Sequence, residues 1–375
     1  MSTIHSRFVA PPTKYDRLEV AGIEMGPQEL LDQLDRGRTL PASWYTDPGL
    51  LARERASIFG REWQYVGDMS RLPSDGSFFT DAVASVPVVI VRHEAGVAGF
   101  VNICPHRGFQ VAEGDGCRHT LQCGYHGWTF GLDGRLKAAP RSDRERDFPH
   151  EQIGLREVRV EAWGPLLFVN LDLEAAPLAD TVGGAADLMR ARGFDPGALP
   201  FRARREWEIK ANWKLTLDNN TECYHCATVH PGFRSAYHVD RDNYRVEAFA
   251  KSFSHLSPPK AVSGPDAPDF HLYYLWPNFM LSARGSEYFY TYRYVPVDAG
   301  TTLQVNDYFF PESFREAELE QAIADIGQIM REDWRVFEGV QRNLESGAFG
   351  QGQLLRDEEW LLRHFQRMVV EAVAG

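Results

Sequence analysis

This 375-residue chain has no surplus of positive charge: 52 Asp and Glu outweigh 40 Lys and Arg, for a formal net charge of −12. A nucleic acid or an anionic membrane surface needs a basic face, so neither partner is expected. No apolar run approaches the roughly 18 residues that mark a membrane helix, and the N-terminus has no charged-then-apolar signal pattern. A cytoplasmic location is the expectation. Cysteines are few and odd in number, five in all, which argues against a disulfide framework and for reduced thiols. No GxGxxG follows a strand at a helix start, so the chain is expected to bind neither NAD nor FAD itself. Core material is plentiful: 43% of residues are hydrophobic, and the length suffices for two domains.

Two of the scarce cysteines stand in short loops that echo each other. One reads Cys104-Pro105-His106-Arg107-Gly108; the other reads Cys123-Gly124-Tyr125-His126-Gly127-Trp128-Thr129-Phe130, and sixteen residues separate His106 from Cys123. Each loop offers one thiolate and one imidazole in the same order. Two Cys plus two His match a [2Fe–2S] cluster in which imidazoles replace the thiolates on one iron, which raises its potential. Gly108, Gly124 and Gly127 suit backbone folded tightly over sulfide. A structural zinc accepts the same residue types, but a Cys-x-His pair echoed by Cys-x₂-His does not fit zinc-knuckle spacing.

A second constellation runs from Asn212 to Gly232. The segment 213–227 is expected to be helical, which puts Glu222 and His225, three apart, on one face. His225 and His230 are five apart and would diverge on a continuous helix. Pro231 pushes the residue before it out of the α region, so the helix should end before His230 and let its imidazole swing back beside His225. A non-haem Fe(II) that activates O₂ needs two His, one carboxylate and vacant positions on one face. The carboxylate must come from elsewhere. A long amphipathic helix toward residue 344 carries an apolar stripe of Leu319, Ile323, Ile326, Met330, Phe337, Val340 and Leu344. Asp333 stands where that stripe calls for another apolar residue, and a buried carboxylate is costly unless paired or metal-bound. Trp334 continuing the stripe, with Asp333 merely bordering it, is the competing reading. Glu332 points off the stripe and is the weaker candidate.

Cys-Pro-His-Arg-Gly followed by Cys-Gly-Tyr-His-Gly-Trp-Thr-Phe closely resembles the Rieske loops of the α subunits of Rieske non-haem iron (ring-hydroxylating) oxygenases. Glu222-x₂-His225-x₄-His230 and the stretch around Asp333-Trp334 resemble that family's iron motif. The resemblance, covering about residues 40–370, implies cluster ligands Cys104, His106, Cys123 and His126, and iron ligands His225, His230 and Asp333. It makes Glu222 not a ligand but a bridge, hydrogen-bonded to His225 and to the exposed His126 of a neighbouring subunit, hence a ring-shaped homotrimer. Asp218 is a candidate support in the same network, with a solvated helix residue as the alternative. Cys117, Cys223 and Cys226 are expected only to pack as small hydrophobes. The remaining histidines, among them His255, are expected to be surface or satisfied core residues; His238 is close enough in sequence to approach the iron pocket and stays open.

The implied fold is α+β: an N-terminal arm over 1–39, an all-β Rieske [2Fe–2S] domain over 40–172 with the cluster loops at two hairpin tips, and a catalytic domain over 173–375. That second domain is a helix-grip fold, an antiparallel sheet flanked by helices. One [2Fe–2S] cluster and one Fe²⁺ per chain, an NAD(P)H-dependent reductase, with or without a ferredoxin, and O₂ follow. The expected reaction is hydroxylation of a small organic substrate. Residues 270–294 are dense in tyrosine and tryptophan, and Tyr288, Tyr290, Tyr292 and Tyr294 alternate onto one strand face. Such a wall could cage a quaternary ammonium by cation–π contact. A glutamate bridge in Glu-Cys-Tyr-His-Cys is similar to members acting on choline, betaine or carnitine-type amines. N-demethylation or C–N cleavage of such a compound is the first reading. Aromatic ring mono- or dihydroxylation is the alternative, and a Rieske electron carrier without oxygenase activity is the rival from another class.

Overall fold

The computed structural model describes residues 18–20 and 23–375; the rest of the expected N-terminal arm lies outside the described residues. Two compact units emerge. One is Phe59–Leu178, and the other joins Ala179–Gly375 to the described residues ahead of Phe59. No described helix is long and apolar enough to cross a membrane.

The leading segment holds the paired strands β1 (Leu18–Val20) and β2 (Ile23–Met25), then helices α1 (Pro27–Asp35), α2 (Ser43–Thr46) and α3 (Pro48–Glu54). Asp47 caps α3 by accepting from the Gly49 N–H, with Pro48 in the first turn, where no donor is needed. Residues 40–58, which the sequence attaches to the first domain, belong with the second unit. The Leu40 N–H donates to Gln366, Tyr45 to Asp218, and Lys214 to Glu54.

The first unit is antiparallel β. Its strands are β3 (Gln64–Asp68), β4 (Ser77–Val83), β5 (Val86–His93), β6 (Gly96–Val101), β7 (Asp115–Cys117), β8 (Thr120–Gln122), β9 (Thr129–Gly131), β10 (Leu136–Ala138), β11 (Glu157–Trp163) and β12 (Leu166–Asn170). Seven form a sheet in the order β3-β12-β11-β6-β5-β4-β7, and three form a second, β10-β9-β8. The run Val86-Pro87-Val88-Val89-Ile90-Val91 is apolar on both faces because both are covered. Val89 and Val91 pack in the core that encloses Cys104, Cys123, Phe100 and Phe130, while Val88 and Ile90 pack with Val66, Phe79 and Leu167.

In the second unit the chain continues through α4 (Leu178–Ala191), β13 (Phe201–Ile209), α5 (Trp213–Asn220), α6 (Cys226–Val229), α7 (Pro231–Ala236), β14 (Arg245–Ala248), β15 (Ser252–Ser257), β16 (Phe270–Leu275), β17 (Phe279–Arg284), β18 (Tyr288–Asp298), β19 (Thr301–Phe309), α8 (Glu316–Glu345) and α9 (Trp360–Ala374). Its sheet is fully antiparallel in the order β13-β19-β18-β17-β16-β15-β14. One face receives the helices: Trp334 of α8 donates to Gln304, Phe365 of α9 packs on Tyr274, and Asn220 of α5 donates to Tyr294. The α8 stripe is buried at Leu319, Ile323, Ile326, Met330, Phe337 and Leu344, but Val340 is exposed. Its inclusion in the stripe was mistaken.

Candidate metal centres

The two Cys–His loops share one backbone frame. The Cys104 N–H donates to the Phe109 carbonyl and the Gly108 N–H to the Cys104 carbonyl; Cys123 does the same with Trp128 and Gly127. Gly108 and Gly127 close these turns at φ +78° and +75°, a region that disfavours a Cβ. The sequence signal is Cys-x₃-Gly-aromatic, repeated, and it passed unnoticed beside the Cys–His spacing. The second loop joins the paired strands β8 and β9. The first runs from β6 to β7, which are not neighbours in the sheet, so it is no hairpin tip. Its base is braced instead by buried Asn102, whose amide donates to the Ala112 carbonyl and accepts from the Val111 and Ala112 N–H groups.

Cys104 and Cys123 are buried, while His106 and His126 are exposed. The imidazoles meet edge to face, ring centroids 4.6 Å apart, and His106 stacks on Trp128 at 4.7 Å. Burial pushes the Cys104 thiol up, backbone N–H groups of His106 and Arg107 pull it back, and the adjacent Cys123 thiol raises it again. N–H groups aimed at sulfur are what a cluster's thiolates require. A tetrahedral zinc holds its donors about 3.3–3.8 Å apart, so any three of these four side chains would have to converge. Among the described residues, the one convergence of three or more His, Cys, Asp or Glu ligand atoms within 4.8 Å is His225, His230 and Asp333. Sulfur pairs with sulfur and imidazole with imidazole, which suits two iron atoms and not one zinc.

The second centre is assembled differently from the sequence expectation. The helix α5 ends at Asn220, and Glu222 and His225 lie beyond it in a turn, so no helical face brings them together. The Glu222 carboxylate folds back over the turn, accepting from the Tyr224 and His225 N–H groups, and bonds His225 Nδ1 at 2.6 Å. His230 sits at φ −114°, ψ 72°, outside the α region as Pro231 requires, and α7 starts behind it. From α8, Asp333 Oδ1 approaches His230 Nε2 at 3.0 Å and His225 Nε2 at 3.6 Å. Burial works against a charge on His230, but the Asp333 and Glu332 carboxylates overcome it and hold its pKa above the ordinary value. The donor set asks for a cation, and two imidazoles with one carboxylate fit Fe(II).

Two members of this site were missed. Glu332 was discounted as pointing off the stripe, yet its Oε2 stands 2.9 Å from His230 Nδ1. Asn219 donates to Asp333 Oδ1 at 3.0 Å and lies 3.1 Å from His225 Nε2; nothing in its sequence position announces this. Asp218 goes elsewhere: its carboxylate accepts from Tyr45 at 2.6 Å and from Gln366 at 3.1 Å. It is neither a solvated residue nor a hydrogen-bond partner of Glu222. Cys223 and Cys226 do not merely pack; they form a disulfide that brackets Tyr224 and His225. Cys117 is exposed, not a buried hydrophobe.

Residues 62–157 match the family described as Rieske [2Fe-2S] domain, and residues 197–375 match Ring hydroxylating alpha subunit (catalytic domain). The chain is 32% identical to the carnitine monooxygenase oxygenase subunit of Acinetobacter baumannii, over 94% of this chain and 99% of that one. It is 29% identical to the chloroplastic choline monooxygenase of Beta vulgaris, over 87% and 75% respectively. Among solved structures, the quaternary ammonium Rieske monooxygenase CntA in complex with L-carnitine superposes with a TM-score of 0.82 at 31% identity, covering 93% of this chain and 99% of that one. Naphthalene 1,2-dioxygenase from Rhodococcus superposes at 0.79 with 18% identity over 93% and 97%, and so shares the fold. The chain belongs to the Rieske ring-hydroxylating oxygenase α subunits, enzymes that carry a [2Fe–2S] cluster and a mononuclear iron and draw their electrons from a separate reductase.

Proposed function

We propose that this oxygenase hydroxylates a small quaternary ammonium compound of the betaine, carnitine or choline type, at an N-methyl group or a neighbouring carbon. The observation that carries the reading is a tyrosine ladder on the helix-covered face of the sheet. Tyr288, Tyr290, Tyr292 and Tyr294 follow one another at centroid distances of 6.5, 5.3 and 5.9 Å. Burial pushes the Tyr290 phenol up to about 12 and Tyr294 well above its usual range, and the charge of Asp333 reaches both. The phenols therefore stay neutral, with faces that attract a cation beside the proposed iron ligand. The relatives named for carnitine and choline lend the reading further support.

In this reading Cys104, His106, Cys123 and His126 hold the cluster, and His225, His230 and Asp333 hold the iron. The iron supplies dioxygen activation and the cluster supplies electrons one at a time. Glu222 and Glu332 fix the two imidazoles by their Nδ1 atoms, leaving Nε2 as the donor to metal. Glu222 is also the electron bridge, hydrogen-bonding the partner subunit's His126 within a homotrimer. His126 is exposed, as such a contact needs, and a related quaternary ammonium Rieske monooxygenase is described for inter-subunit electron transfer. Two electrons come from NAD(P)H through the reductase, with or without a ferredoxin, in the cytoplasm. One oxygen atom enters a C–H bond and the other leaves as water, taking up two protons. A hydroxylated N-methyl then breaks its C–N bond to release formaldehyde, a proton and the tertiary amine.

The test is product analysis. Protein loaded with both metals and a surrogate reductase is incubated with a panel of trimethylammonium compounds and a panel of aromatic hydrocarbons. NAD(P)H- and O₂-dependent formaldehyde, or a cleaved amine, is expected from the first panel. Hydroxylated products from the second panel alone would sink the reading. Three irons per chain separate an oxygenase from a two-iron electron carrier.

A further inference from the structure

Cross-strand register places one row of side chains on the helix-covered face. It runs Ala203, Tyr308, Tyr290, Ser282, Leu272, His255, Val246, each directly opposite the next on the neighbouring strand. The metal-bearing segment lies over this face. Asn220 donates to Tyr294 on one side, and Phe233, three residues past His230, packs edge to face on Phe270 at 5.0 Å on the other. His255 stands three strands from Tyr290, about 14 Å between backbones.

His255 is 4% exposed, and its Nε2 is buried without a hydrogen-bond partner. Leaving a buried polar atom unpaired is expensive, so such an atom marks a candidate ligand contact. Its Nδ1 is held by the Tyr244 hydroxyl, from the edge-strand side of the sheet, which leaves Nε2 on the side of the ring away from that edge. Burial and the nearby His225 push this imidazole down to about 3, so it is neutral at working pH. A phenol donates better than it accepts. With Tyr244 donating to Nδ1, the ring proton stands on Nε2 and needs an acceptor.

We infer that His255 is the specificity-determining residue for the acidic end of the substrate: its Nε2–H donates to the carboxylate of a zwitterion whose trimethylammonium end lies over Tyr290, Tyr292 and Tyr294. This rests on the quaternary ammonium reading and adds to it a carboxylate, a direction of binding and a residue. The cation then lies beside the proposed iron ligands and the carboxylate lies toward the β14 edge. Tyr244 is a positioning residue that sets the tautomer.

Dissociation constants of the metal-loaded protein are to be measured calorimetrically for matched pairs with and without the carboxylate. The pairs are γ-butyrobetaine against butyltrimethylammonium and glycine betaine against ethyltrimethylammonium. The wild type should favour the zwitterion of at least one pair by about 10- to 100-fold, the worth of a hydrogen bond to a charged group. His255→Phe should abolish that preference without changing affinity for the alkylammonium partner. His255→Gln, which keeps an N–H donor, should retain part of it, and Tyr244→Phe should weaken it. Iron and cluster content of each variant shows that it has folded. Undiminished preference in His255→Phe overturns the inference and leaves the quaternary ammonium reading standing, as does a wild type that binds both members of each pair equally. Failure of the wild type to bind any trimethylammonium ligand overturns both.

Discussion

Glu332 Oε2 stands 2.9 Å from Nδ1 of His230, and the next residue on the same helix, Asp333, brings Oδ1 to 3.0 Å from Nε2 of the same ring. Two consecutive carboxylates thus grip both nitrogens of one imidazole. A carboxylate behind a ligating histidine fixes its orientation and raises its basicity, and its loss typically weakens metal affinity about 10- to 100-fold. Glu332→Gln is therefore expected to bind iron 10- to 100-fold more weakly in chelator competition while recovering turnover at saturating Fe²⁺, since about this much is the whole of its role. Failure to recover at saturating iron would mean that Glu332 does more than hold the ring.

Glu222 makes the contrasting case. It holds His225 as Glu332 holds His230, so Glu222→Gln should also lower iron affinity. Saturating Fe²⁺ should not restore turnover, because the proposed bridging role needs the charge. With cluster and iron both present and a reductase supplied, turnover should stay down by about 10- to 100-fold, the worth of a charge-assisted hydrogen bond. In single turnover, the cluster's visible absorbance should reoxidise slowly on exposure to O₂. Normal reoxidation would remove the bridge and leave Glu222 as a ring-holder only.

The contrast between the two glutamates marks how far the sequence could be read. The grouping of Cys104, His106, Cys123 and His126 was legible because the four sit in two short loops, at a spacing that local turns must satisfy. The convergence of His225, His230 and Asp333 was legible because Pro231 forces a local break and because a carboxylate on a buried stripe is anomalous. Glu332 and Asn219 were not, since their roles depend on how α8 docks against the turn after α5, a distance of over a hundred residues along the chain. The boundary near residue 40 failed for the same reason. Residues 40–58 directly precede the strands of the first domain in the chain, and only their long-range bonds to Gln366, Asp218 and Lys214 reveal where they belong. The expected helix over 213–227 was wrong at its C-terminal half: Thr221 to His225 turn instead, because the Glu222 side chain offers the local N–H groups an acceptor that competes with the helix.

One of those long-range bonds is a buried ion pair. Lys214 Nζ lies 2.6 Å from Glu54 Oε1, with the two side chains 1% and 0% exposed, and Trp213 Nε1 donates to the other carboxylate oxygen at 2.7 Å. Burial pulls the Lys214 pKa below its usual value even against the attraction of Glu54, so the pair is held together more by necessity than by net gain. Lys214→Met strands the carboxylate and should destabilise by about 3–5 kcal/mol. Adding Glu54→Gln removes the stranded charge while keeping an acceptor for Trp213, so the double variant should melt above the single one. A double variant that melts at the sum of the two single losses would show that the ions are not coupled.

Asp218 supplies the pH dependence. Burial raises its carboxyl to about 6, against 3.8 in the open chain, even though Tyr45 and Gln366 both donate to it. A folded-state pKa above the unfolded one means that the native protein holds this proton more tightly. The stability it contributes is complete below about pH 4 and is lost as the pH rises through 6. A difference near two units is worth up to about 3 kcal/mol. Asp218→Asn is a permanent stand-in for the protonated acid and cannot pay that toll. The melting temperature of Asp218→Asn relative to wild type should therefore climb between pH 4 and 7, by about 2–4 °C for each kcal/mol, and stay level above pH 7. Parallel melting curves across that window would mean that Asp218 is already ionised at pH 4, with Lys214 and the two donors outweighing its burial.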